Sequence, residues 1–80
     1  MIALLLALLA GIPPSAYDTN SRGAALLNRG EPLKALESFR EARAAAPAWV
    51  TAEVNEGIAL LALGRIDEAL ARFDGALARE

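Results

Sequence analysis

Gly23-Ala24-Ala25-Leu26-Leu27-Asn28-Arg29-Gly30 returns 34 residues later as Gly57-Ile58-Ala59-Leu60-Leu61-Ala62-Leu63-Gly64. The correspondence runs outward from this stretch. Ala35-Leu36 recurs as Ala69-Leu70, Phe39 as Phe73, Ala42 as Ala76 and Ala44 as Ala78. Laying residues 16–46 on 50–80 without a gap gives ten identities in 31 pairs. The matched residues are the small and apolar ones that decide packing. A fixed period of this size marks a repeat architecture, in which each unit buries its apolar face against the next. Such an architecture binds partners rather than transforming substrates.

Helix signals fill both copies. Asp18 or Thr19 is placed to cap a first helix that Gly30 stops, and Pro32 suits the first turn of the second. Leu33, Leu36, Phe39, Ala42 and Ala46 then continue at helical spacing to Pro47. Residues 48–63 read as a third helix, with Val54, Ile58, Leu61 and Ala62 in an i, i+4, i+7, i+8 pattern. Asp67 is expected to cap the fourth, whose stripe is Ile66, Ala69, Leu70, Phe73, Ala76 and Leu77. No segment alternates with a period of two, so the expected class is all-α.

Composition narrows the function. The chain has 80 residues and a formal net charge of −2, with neither Cys nor His. Disulfides, thiolate chemistry, imidazole bases and the commonest zinc ligands are therefore absent. Residues 16–47 carry net +1 and residues 48–80 net −3, and neither half contains a basic block suited to a nucleic-acid backbone. Glu37 with Glu41, and Glu53 with Glu56, lie one turn apart; both pairs read as solvated helix faces rather than acid–base or metal sites. Trp49, just after Pro47, reads as a hydrophobic staple for the third helix. No catalytic residue, metal or cofactor is expected, and the chain is not expected to be an enzyme.

Residues 1–12 (MIALLLALLAGI) are an uncharged apolar run closed by Pro13-Pro14. As a helix it would reach roughly 18 Å, short of a bilayer core of about 30 Å. Its length suits the core of a secretory signal, although no Lys or Arg precedes it and Pro14-Ser15-Ala16 is an unusual exit. The alternative is an apolar helix packing on the first repeat. The first reading divides the chain into a signal peptide or anchor at 1–16 and two repeats in 17–80 (about 16–49 and 50–80). It makes the protein exported, to a periplasm or beyond the cell, or membrane-anchored; the second leaves it cytoplasmic. Membrane contact is expected only through residues 1–12.

Together these residues resemble a pair of tetratricopeptide repeats. Gly23, Leu26, Ala35, Phe39, Ala42 and Pro47 fall on the family pattern in the first copy, and Gly57, Leu60, Ala69, Phe73 and Ala76 in the second. Thr19 and Glu53 depart from it where the family has Trp, and Arg22 and Glu56 where it has Leu. The resemblance implies helix-turn-helix units stacked as a short right-handed α-solenoid. Gly23 and Gly57 would face Ala35 and Ala69, Phe39 and Phe73 would fill the space between hairpins, and Arg22 could pair with Glu56. It also implies a protein-interaction scaffold whose concave groove holds a peptide or partner protein. That groove would present Tyr17, Asn20, Ala24, Leu27, Asn28, Thr51, Val54, Asn55, Ile58, Leu61 and Ala62, unless its apolar residues pack on another element. A carboxylate clamp for acidic chaperone tails is disfavoured, since Asn20 and Ala24 stand where the clamp has Lys and Asn. Leu70, Phe73 and Leu77 are left facing a missing neighbour, so further repeats or self-association through that end are expected. Two competing roles are a positioning segment of a longer exported enzyme or receptor, and a purely structural, self-associating repeat.

Overall fold

The computed structural model describes residues 11–79; the apolar run at 1–10, on which the signal reading rests, lies outside them. Four helices follow in order: α1 (Pro14–Asn28), α2 (Pro32–Ala45), α3 (Val50–Ala62) and α4 (Ile66–Ala78). The described residues contain no strand. The class is all-α, and the architecture is two helix hairpins packed through α2 against α3. The ends of α1 and the starts of α2 recur 34 residues later in α3 and α4, so the period of the sequence is also the period of the backbone.

The two hairpin turns are built identically. Gly30 and Gly64 take φ of 76° and 77°, a left-handed conformation that glycine adopts without steric cost. The N–H of Glu31 bonds the carbonyl of Leu26, and the N–H of Gly30 that of Leu27. Arg65 to Leu60 and Gly64 to Leu61 repeat the arrangement. This is the Schellman termination, which satisfies carbonyls that the end of a helix leaves unpaired.

Helix starts differ from the sequence expectation. The first helix begins at Pro14, so Ser15 and Ala16 belong to it, and Asp18 and Thr19 lie inside rather than at its cap. Pro13 and Pro14 explain the shift, because a ring-locked φ and a missing N–H suit the first helical position. The Thr19 hydroxyl donates to the Ser15 carbonyl at 2.8 Å, one turn back. Helix α3 opens at Val50 with Trp49 at the capping position. Arg65, not Asp67, precedes α4; Asp67 and Glu68 lie in its first turn, where carboxylates favour the positive end of the helix.

The core joins both hairpins through Ala35, Leu36, Phe39, Ala59, Leu60 and Ala69, with Leu26, Leu27, Leu63 and Phe73 around it. Gly23 and Gly57 mark the closest approach within each hairpin, but the rings of Phe39 and Phe73 occupy that space rather than Ala35 and Ala69. A Cβ at either glycine would lie 2.5 Å from the ring. Each Phe therefore packs against the glycine of its own hairpin, and Phe39 also belongs with Leu36, Ala59 and Leu60 to the cluster between the hairpins.

Candidate functional site

Helix α3 is the centre of the molecule, and its side chains define two distinct faces. Toward α2 and α4 it carries Glu53 and Glu56, which are 3% and 2% exposed. This overturns the reading of these residues as a solvated pair. Glu56 meets Arg40 at 3.4 Å and Arg43 at 2.5 Å, both on α2. Glu53 meets Arg72 at 3.8 Å and also Arg79, both from the α4 end. The expected partner of Glu56, Arg22, is exposed on α1 instead. Buried carboxylates require such partners, since an unpaired charge in the interior is strongly unfavourable. Gly75 makes room for Glu53, because a Cβ there would lie 2.7 Å from its Oε2.

These ion pairs border a cavity of about 380 Å³ lined by Arg40, Arg43, Glu56, Leu60, Glu68, Ala71 and Arg72. Glu68 receives two hydrogen bonds from Arg65, each 2.8 Å. The Arg65 guanidinium holds its carboxyl below the ordinary glutamate range, with Arg40 adding to the effect. The arginines around this cavity already carry carboxylate partners, so it is a cross-braced joint between hairpins more than an open anion site. No group of three or more metal-ligating side chains occurs among the described residues. Glu37 and Glu41 are exposed on α2.

The other face joins α1 to α3. Every residue expected to line the groove is exposed or half-buried: Tyr17, Ala24, Asn28, Thr51, Ile58, Leu61 and Ala62 are exposed, and Asn20, Leu27, Val54 and Asn55 are intermediate. The two helices are tied directly by Asn55 Nδ2 donating to Asn20 Oδ1 at 3.0 Å. That bond uses one group of each amide. It leaves Asn20 with donors and Asn55 with an acceptor, the complement of a peptide unit.

Trp49 occupies the capping position of α3, one residue later than a staple residue stands. Its ring lies 4.7 Å from that of Tyr17, tilted by 59°, a separation and tilt favourable to aromatic pairs. The pair closes one end of the α1/α3 face. Beyond it, Gly11, Ile12, Ala46, Pro47, Ala48 and Trp49 line a smaller cavity of about 320 Å³.

The sequence contained a signal for the buried carboxylates. Glu53 and Glu56 share the helical face of Ala52, Ala59 and Leu60, all buried, and they occupy the two positions where the resembled pattern carries Trp and Leu. Their burial depended on arginines from two other helices, which spacing along α3 alone does not reveal. No described helix is long and apolar enough to cross a membrane. No family model, curated protein or solved structure matches the chain.

Proposed function

We propose that the chain is a protein-interaction module of the tetratricopeptide type, which holds a peptide or a segment of a partner protein on its α1/α3 face. The observation that carries this reading is the composition of that face. Ile58 and Leu61 are 40% and 43% exposed beside a bonded amide pair, with Tyr17 also 40% exposed at one end. Aliphatic area supplies affinity, and the unused amide groups fix the orientation of an extended or helical backbone. The charges concentrate elsewhere, in the ion pairs between α2, α3 and α4, so the preferred ligand is apolar and amide-rich rather than strongly charged. In this reading residues 1–12 serve export or tethering, and the module works as a scaffold outside the cytoplasm or at a membrane surface.

Selection of a random peptide library on the full chain tests this. Recovered peptides should bind the double variant Ile58→Lys/Leu61→Lys about tenfold or more weakly, each factor of ten corresponding to about 1.4 kcal/mol of lost contact. They should bind a control variant at exposed Glu37 on α2 unchanged. Recovery of no peptides, or of peptides indifferent to the double variant, would refute the assignment.

A further inference from the structure

Helix α4 presents a face whose counterpart in the first hairpin is completely covered. Leu36 on α2 is 1% exposed, whereas Leu70, its equivalent on α4, is 52% exposed, and Leu77 is 67% exposed. The cover on α2 is α3, through Ala59 and Leu60. The residues of α1 equivalent to these are Ala25, which is exposed, and Leu26, which is half-buried. Among the described residues, one chain therefore carries both halves of its own internal joint in uncovered form, on α4 and on α1.

Charge decides whether the two halves fit. In the internal joint Arg40 on α2 meets Glu56 at 3.4 Å and Glu68 at 4.0 Å. Shifting by 34 residues turns Arg40 into Asp74, while the positions equivalent to Glu56 and Glu68 are Arg22 and Lys34. Every sign is reversed, so opposition is kept: Asp74 of one chain would meet Arg22 and Lys34 of the next. Arg43 becomes Leu77, a residue that the aliphatic stem of Arg22 could cover. The halves themselves carry net +1 (16–47) and −3 (48–80), the polarity that steers positive end onto negative end.

We infer that a second copy of this chain is the occupant of the α4 face, stacked head to tail with its α1 against α4 and repeating the α2–α3 joint with reversed charges. The contact is heterologous, so it propagates beyond a dimer unless the rotation closes a ring. It also lengthens the proposed docking face, because α3 of one chain comes beside α1 of the next.

Sedimentation velocity of the full chain from micromolar to millimolar concentration tests the stack. The wild type should grow in mass with concentration. Asp74→Arg, and separately Arg22→Asp/Lys34→Glu, should raise the concentration needed for association about tenfold by opposing like charges. An equimolar mixture of the two should associate as well as the wild type, because each supplies the other's complement. Circular dichroism confirms that each variant is folded; should a reversal unfold the chain, the neutral Asp74→Asn and Arg22→Gln weaken association in the same direction. A wild type that stays monomeric throughout would overturn the proposal and assign the face to another protein, to further helical repeats or to residues 1–10. Association indifferent to both reversals, or a mixture no better than its components, would overturn it equally.

Discussion

Phe39→Ala should cost about 3–5 kcal/mol, the range for deleting a buried aromatic ring. A core of this size rarely supplies more than about 3–5 kcal/mol, so this variant should be largely unfolded at ambient temperature. Phe39 is 1% exposed and lies against both Gly23 and the joint with the second hairpin. Phe73 holds the equivalent place over Gly57 but is only half-buried, because none of the described residues covers it as the second hairpin covers Phe39. Phe73→Ala should therefore cost clearly less. Urea unfolding followed by circular dichroism gives both values. Equal losses would show that the second ring is buried as deeply as the first, which would contradict an uncovered α4 face.

Gly23→Ala should also destabilise, against the usual direction for a glycine inside a helix. Alanine gains about 1 kcal/mol of helix propensity over glycine. Its methyl, however, would lie 2.5 Å from Phe39 Cε1 and 2.6 Å from Cδ1. That ring is enclosed and cannot swing away, and overpacking of this kind costs about 1–3 kcal/mol. A net loss of up to about 2 kcal/mol is expected. At Gly57 the same methyl would meet the ring of Phe73, which is half-exposed and can yield. Gly57→Ala should be near neutral. The cycle combining Gly23→Ala with Phe39→Leu should be strongly non-additive, as residues in contact are. Additive losses would mean that Gly23 and Phe39 do not share one space.

The repeat was legible because its determinants are local. Gly30 and Gly64 end helices through bonds that reach back only five residues, and Pro32 starts one by its own ring geometry. The same logic misplaced the start of α1. Pro13-Pro14 closes the apolar run, but its geometry equally opens a helix, and Asp18 then lies inside α1 rather than at its cap. That Tyr17, Asn20, Ile58, Leu61 and their neighbours escape full burial was also legible, since they fall off the small-residue stripes that pack the helices. What sequence reading could not supply was the pairing across the α1/α3 face. The bond between Asn20 and Asn55 spans 35 residues, and the ring contact of Tyr17 with Trp49 depends on the angle between hairpins. The carboxylates show the same limit more sharply. Glu53 and Glu56 sit three residues apart on one helix, yet one turns to arginines on α4 and beyond and the other to arginines on α2. Only the three-helix geometry makes their burial intelligible.

Chemical-shift mapping would locate a ligand on the proposed α1/α3 docking face residue by residue. The isotope-labelled full chain would be titrated with a peptide recovered by selection on that chain. The largest shifts are expected at Asn20, Leu27, Asn55, Ile58 and Leu61, with α2 and the outer side of α4 little changed. Shifts concentrated on Arg40, Arg43 and Arg72 around the ion-paired cavity, with the α1/α3 face silent, would contradict the proposal.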